Sequence, residues 1–278
     1  LAKLLEGKLI AGQIKDILKS RIQAANPKLK LASVQVGENA SSDLYIRSQQ
    51  KTAELLGIEF ALHKLPKETS QEKLIEFINQ LNQDKTVHGI IIQMPLPLHM
   101  DYKTISEFID PQKDVEGMHP VNMGKIVFGK ASILPCTAAA VMELLNSLGI
   151  NFMGKEVVIV GHSEIVGKPL SLLLLDKLAT VTVCHIGTSK AGKLEEHVRK
   201  AEVLVVAVGK AGLIKGEWIK DGAIVVDVGI NRVGDKIVGD VEFEEASKHA
   251  SWITPVPGGV GPLTVTMLMR NLVEAARI

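Results

Sequence analysis

Cysteine is nearly missing: the 278 residues hold only Cys136 and Cys184. Two thiols this far apart supply neither a secreted disulfide scaffold nor a zinc cluster. They fit a reducing, cytoplasmic compartment, as small buried apolar groups. An excess of one charge sign is also missing. Lys and Arg number 32 against 31 Asp and Glu, a net charge of +1. A protein that coats a polyanion carries a basic surplus, so nucleic acid is excluded as a bulk partner. No apolar run approaches the ~20 residues that span a bilayer. The longest, Leu170 to Leu175, stops at Asp176. The first twenty residues scatter lysines and acids, unlike a signal peptide. Paired-histidine metal spacing, a G-x-S-x-G elbow and a G-x-x-x-x-G-K-[ST] loop are all absent, which leaves no expected metal.

What is present is an ordinary globular composition, 46% apolar and 23% charged. At about 100–200 residues per domain the length suits one large domain or two modest ones. Near the amino terminus Ile10, Ile14, Ile17, Leu18 and Ile22 recur at helical spacing and predict one shared apolar face. KLASVQVG (30–37) reads as a strand. Ser41 and Ser42 offer caps for the helix DLYIRSQQKTAELLG, closed by Gly57. A strand (58–65), a capped helix (69–83) and a buried strand (87–97) stopped by prolines follow. Next comes a helix, ILPCTAAAVMELLNSLGI, with Thr137 as its cap. KEVVIVG, TVTVCH, AEVLVVAVG and AIVVDVG are apolar at nearly every position, as strands buried on both faces are. Strands alternating with helices predict a mainly parallel α/β sheet, doubly wound in the second half. The boundary falls near 140–150, and the last helix, LTVTMLMRNLVEAARI, follows a Pro/Gly cluster.

Five constellations could carry chemistry. Gly161-His162-Ser163-Glu164-Ile165-Val166-Gly167-Lys168-Pro169 follows a strand and opens a helix. Glycine admits a phosphate close to the backbone, and the helix terminus adds partial positive charge. The spacing is not G-x-G-x-x-G, so a plain strand-to-helix turn is the competing reading. Pro255 to Pro262 (PVPGGVGP) is either a rigid wall presenting backbone to a ligand or a stiff linker. Gln93 stands at a strand's carboxyl end, where ligands of open α/β sheets bind; a surface amide is the alternative. Asp114 and Glu116 share a turn, as solvated acids or as chemistry. Tyr45 and Gln49 are one helical turn apart and share a face. His162 and His185 either touch a cofactor or are structural.

These features occur together in one order, and the chain resembles the bifunctional methylenetetrahydrofolate dehydrogenase/methenyltetrahydrofolate cyclohydrolase family from end to end. The matching stretches are GIIIQMPLP, PQKDVEGMHPVNMG, ILPCT, GHSEIVGKP, VDVGINR, VGDVEF and PVPGGVGPLTV. The resemblance implies an amino-terminal α/β folate domain over 1–142, to which a helix at 263–278 returns. It implies a Rossmann-like, doubly wound NADP domain over 143–262, with a cleft between the two. It also implies homodimers, and tetrahydrofolate one-carbon derivatives as substrates. By position, Tyr45 should stack on the substrate rings, Gln93 should support the catalytic residue, and Glu116 should hold the pterin. Pro257, Gly258 and Gly259 should line the folate pocket. Gly161, His162, Ser163, Val166, Gly167, His185, Thr188, Gly209, Ile230 and Thr264 should lie along the dinucleotide.

The chain departs from that pattern at the chemistry. The family's Tyr-x-x-x-Lys-x-Lys reads here Tyr45-Ile46-Arg47-Ser48-Gln49-Gln50-Lys51. Gln49 holds the catalytic lysine position, and Lys51, about 200° around the helix, should face away. Glu116 stands for an aspartate, His162 for an arginine beside the 2′-phosphate, Ile186 for a serine, and Ala138 for a proline. Removing hydride from a carbon between two nitrogens needs placement more than a base. Hydrolysis of the methenyl product needs proton transfer, which an amide cannot perform. The expectation is therefore a dehydrogenase with absent or reduced cyclohydrolase activity. NADP is favoured over NAD, with Lys190 and Lys193 available to compensate for the missing arginine. The rivals are a fully bifunctional enzyme with another proton shuttle, such as Glu116 or Lys51, and a non-catalytic folate or dinucleotide binder.

Overall fold

The computed structural model describes the backbone of residues 1–278 and every side chain except those of residues 40 and 41. The chain runs β1 (Lys3–Leu4), α1 (Gly7–Ala25), β2 (Lys30–Val36), α2 (Ala40–Leu56), β3 (Glu59–Leu65), α3 (Gln71–Gln83), β4 (Gly89–Ile92), α4 (Tyr102–Ser106), α5 (Pro120–Val127) and α6 (Cys136–Asn146). It continues through β5 (Glu156–Val160), α7 (Gly167–Leu175), β6 (Thr180–Cys184), α8 (Ile186–Lys190), α9 (Leu194–Lys200), β7 (Val203–Val206) and β8 (Ile224–Asp227). It closes with β9 (Asn231–Val233), β10 (Lys236–Val238), α10 (Phe243–His249), β11 (Trp252–Ile253) and α11 (Val260–Ala275). Two compact units result. One comprises Leu1–Gly12 with Thr137–Thr264, the other Gln13–Cys136 with Val265–Ile278.

The Gln13–Cys136 unit is built on a three-stranded parallel sheet, ordered β3-β2-β4. Side chains alternate across a strand, so β2 has two unlike faces. Ala32, Val34 and Val36 meet Leu74, Ile78 and Leu81 of α3, together with Ile90, Ile92 and Ile105, in one core. Ser33 and Gln35 take the other face and are equally buried. A central parallel strand is ordinarily apolar on both sides. Two buried polar residues there must be held by hydrogen bonds, or each costs about 1–3 kcal/mol.

The other unit carries a six-stranded sheet ordered β1-β11-β8-β7-β5-β6, parallel throughout. β5 (EVVIV) and β7 (VLVV) are apolar because helices cover both faces. The winding reverses at β5, with β6 on one side and β7 on the other. The carboxyl ends of β5 and β7 thus form the switch point where such sheets bind ligands.

Local differences from the sequence reading have physical reasons. α1 buries Ala11, Leu18 and Ile22 but leaves Ile17 61% exposed, so the apolar face is narrower than expected. α2 starts at residue 40, ahead of both serines; the Asn39 side chain accepts from the Ser42 amide. Ser41 as a cap lies outside the described side chains. α6 begins at Cys136, directly after Pro135, so Thr137 sits inside its first turn. α11 begins at Val260 and takes Gly261 and Pro262 into its first turn, where proline's missing N–H costs nothing. The 87–97 strand is paired only over Gly89–Ile92. Residues 1–12, grouped with the first domain on sequence, pair through β1 with β11. Among the described residues no helix is long and apolar enough to cross a membrane.

Candidate active site

The polar face of β2 and the end of β4 meet α2. Gln93, one residue past β4, donates from Nε2 to Ser33 Oγ at 3.0 Å and to Gln49 Oε1 at 2.8 Å. All three residues are buried. Gln35, two residues along β2, donates to Ser42 Oγ and Asp43 Oδ1. Among the described residues the Gln49 side-chain nitrogen has no hydrogen-bond partner, although the residue is fully buried. A buried donor left empty costs about 1–3 kcal/mol, so it is available to an acceptor that fills the site. One turn earlier on α2, Tyr45 is 37% exposed. Burial raises its hydroxyl above the usual phenol range, and Cys136 and Glu116 add to this. Lys51 is exposed while Gln49 is enclosed, as their separation around the helix requires.

Acids close the other side. Asp114 is buried and accepts from the His119 amide and from Asn122 Nδ2. Glu116 Oε2 accepts from the Tyr102 hydroxyl at 3.3 Å. Burial pushes the Glu116 carboxyl up to about 8, with Asp114 adding to it and bonds from Tyr102 and the Ile92 backbone opposing. Glu116 is therefore largely protonated at neutral pH. Cys136 donates to the Val115 carbonyl; its thiol is pushed up by burial and by Glu116 and Asp114. Asn271 of α11 donates from Nδ2 to the Val115 and Leu134 carbonyls, both at 2.8 Å, and so fixes the turn that carries Glu116.

A second candidate region lies within the other unit at the switch point. A cavity of about 520 Å³ is lined by Gly161, His162 and Ser163 after β5, His185 and Ile186 after β6, and Val208 and Lys210 after β7, among others. Gly161 has φ +124, and a Cβ there would lie 2.3 Å from the Ala207 carbonyl oxygen. A Cβ on Gly167 would lie 2.0 Å from the Gly161 oxygen. Both glycines are required for the β5–α7 turn to close. Ser163 Oγ accepts from the Val166 amide, inside the turn that precedes α7, whose first residue has no side-chain cap. The His162 and His185 rings lie 5.2 Å apart. The His185 Nδ1 atom accepts from the Gly187 amide, which leaves its other nitrogen as the donor. A smaller hollow of about 350 Å³ in the same unit is lined by Asp227 to Ile230 and Pro255 to Pro262.

Comparison with known proteins decides what these regions belong to. Residues 5–116 match the catalytic domain of tetrahydrofolate dehydrogenase/cyclohydrolase, and residues 135–278 match its NAD(P)-binding domain. The chain belongs to the tetrahydrofolate dehydrogenase/cyclohydrolase family. It is 50% identical over 281 residues to the bifunctional protein FolD of Acetivibrio thermocellus, covering all of this chain and 98% of that one. The crystal structure of FolD from Campylobacter jejuni, a methylenetetrahydrofolate dehydrogenase/cyclohydrolase, superposes with a TM-score of 0.95. It is 44% identical, covering 100% of this chain and 99% of that one. The Trypanosoma brucei dehydrogenase-cyclohydrolase, solved with NADP and an inhibitor, gives a TM-score of 0.95 at 37% identity, covering 99% and 97%.

Within the family frame, Tyr45, Gln49, Gln93 and Glu116 come together in one unit. Pro257, Gly258 and Gly259 line the smaller hollow of the other unit, where Ile230 joins them. Of the residues expected along the dinucleotide, Gly161, His162, Ser163 and His185 line the larger cavity. Val166 and Gly167 do not line it; they belong to its β5–α7 turn, where Gly167 packs on the Gly161 carbonyl. The Thr188 hydroxyl accepts from the His185 amide and keeps its own O–H free to donate. Gly209 gives its amide to Asp240, and Thr264 donates to the Val260 carbonyl within α11. Lys210, not Lys190 or Lys193, is the lysine on the cavity wall. The cavity's steric cradle and mixed lining fit the NAD(P) of the family. Ser33, Tyr102 and Asn271 were not anticipated. Ser33 had a visible signal, a polar residue within an apolar central strand. Tyr102 and Asn271 had none, because each reaches its partner from a distant segment.

Proposed function

We propose that this chain oxidises the methylene bridge of 5,10-methylenetetrahydrofolate to the methenyl level with NADP, and that its cyclohydrolase activity is absent or much reduced. The observation that carries the reading is Gln49, buried, bonded to Gln93 and holding the family's catalytic lysine position. The folate side falls to the Gln13–Cys136 unit and the dinucleotide side to the other. NADP, when bound, supplies the hydride acceptor. Gln49 and Gln93 orient the substrate by hydrogen bonding, and Tyr45 presents a ring face for stacking. Loss of hydride leaves a cation shared by two nitrogens, so no protein base is needed and orientation supplies the rate. Hydration of that cation needs protons moved between oxygen and nitrogen. The Gln49 amide does not titrate, and the missing general acid–base help is worth about 10²–10⁴-fold. His162 and Lys210 are the groups that would meet the 2′-phosphate of NADP. The chain is also read as a homodimer, which light scattering checks.

The test follows both activities on one preparation. NADP reduction by methylenetetrahydrofolate, with methenyl product accumulating, supports the reading. Rapid decay of supplied methenyltetrahydrofolate overturns its second half. That outcome favours a fully bifunctional enzyme with Glu116 as the proton shuttle, a role suited to a carboxyl pushed up to about 8 beside the Tyr102 hydroxyl.

A further inference from the structure

Two matching stretches, VDVGINR and VGDVEF, each carry one buried aspartate that has no part in the chemistry above. Asp240 is fully enclosed and Asp227 is 4% exposed. Among the described residues neither pairs with a cation. Asp240 Oδ2 accepts from the amides of Val208 and Gly209, at 2.8 and 2.9 Å. Its Oδ1 accepts from the Lys210 amide and from Asn231 Nδ2, both at 2.8 Å. Asp227 holds the segment that carries Asp240: Oδ1 accepts from the Gly229 and Asp240 amides and Oδ2 from the Val241 amide. The fit leaves no room for a side chain between them. A Cβ on Gly229 would fall 2.2 Å from the Asp240 carboxyl carbon, and one on Gly239 would fall 1.9 Å from Asp227 Oδ2.

Consecutive backbone N–H groups converging on one point form an anion-binding nest. Here the nest after β7 is filled by the protein's own carboxylate. A carboxylate accepts at both oxygens and donates at neither, so its four donors use its full capacity. Val208 and Lys210 carry two of those amides, and both residues line the cavity on its β7 side. We propose that Asp240 is a positioning residue for the dinucleotide: its carboxylate clamps the 208–210 loop and so sets the β7 wall of the cavity before any ligand arrives. The inference rests on the reading that this cavity takes the dinucleotide. Asp240 itself touches no ligand and acts through the loop.

The substitution Asp240→Asn keeps the shape but turns an NH₂ group toward N–H donors on one side of the clamp. The dissociation constant for NADP, measured by calorimetry, should rise about tenfold, the effect of losing a hydrogen bond to a charged group. The KM for methylenetetrahydrofolate and kcat at saturating NADP should stay within about twofold, because the variant leaves the other unit untouched. Unchanged NADP affinity overturns the proposal. So does an equal loss toward both substrates, which would mark a merely structural aspartate. A variant that fails to fold leaves a second measurement on the wild-type protein. Hydrogen exchange of the 208–210 amides without ligand should be slow; exchange at the rate of an open loop overturns the clamp. If the wild-type protein binds neither NADP nor NAD, the dinucleotide reading falls, and the exchange rates still decide whether the clamp exists.

Discussion

The two candidate regions are built from different materials. The switch-point cavity takes its shape from backbone: strand ends, a glycine turn and a clamped loop. The side chains that line it do not form a network of their own, and His162 and His185 stand exposed. The folate-side cluster is made of side chains. Ser33, Gln49, Gln93, Tyr102, Glu116 and Asn271 come from separate segments and are tied to one another or to backbone. A cavity whose shape is set by its loops keeps its form when one lining side chain changes, so substitutions there retune preference. A network of enclosed side chains has no such latitude, and one change alters what the site can do.

The strongest way to sharpen that contrast is Gln49→Lys. Cyclohydrolase turnover, followed as the decay of methenyltetrahydrofolate absorbance, should rise by about 10²-fold or more, the range general acid–base catalysis supplies. No gain would mean that the cluster lacks more than a titratable amine. His162→Arg tests the other region. The ratio of kcat/KM for NADP over NAD should rise about tenfold through charge-assisted bonds, with the folate KM unmoved. Equal change for both cofactors would remove His162 from the 2′-phosphate. Gln93→Leu leaves Ser33 and the Gln49 oxygen without their shared donor. Stability in urea should fall by about 1–3 kcal/mol, whereas Ser189→Ala on the cavity wall should be nearly silent.

Stability should also depend on pH. Burial raises Glu116 to about 8 and Asp227 to about 6 from ordinary values of 4.5 and 3.8. Between the ordinary and the raised values the folded chain holds more protons than the unfolded one, so stability falls as pH rises. From these two groups the melting temperature should decline from about pH 4 to pH 8. Glu116→Gln should flatten the part above pH 6. A profile that rises across this range would mean that neither carboxyl is desolvated as described.

The same difference in material explains what could be read from the chain beforehand. β5, β7 and β8 were legible because continuous apolar runs have few other fates in an α/β protein. The Gly161 turn was legible because a backbone-built feature is written in adjacent residues. β1 and β11, two residues each, carry no pattern long enough to detect. Tyr45 and Gln49 could be put on one face by helical spacing, and Gln93 at a strand end, but the meeting of Gln93 with Gln49 was implied by the family resemblance alone. It depends on β4 lying beside β2, which periodicity does not specify. The carboxylate clamp was hidden for the same reason: Asp240 meets the 208–210 loop about thirty residues away in sequence.

Asn271 bears on how the molecule is made. Its side chain anchors the Val115 and Leu134 carbonyls, partners 156 and 137 positions earlier. A ribosome releases the chain from the amino terminus, so the acidic turn lacks this anchor until α11 has emerged. Nascent chains stalled shortly before that point would own every reactive group of the folate side and still lack the staple that sets Glu116 in place.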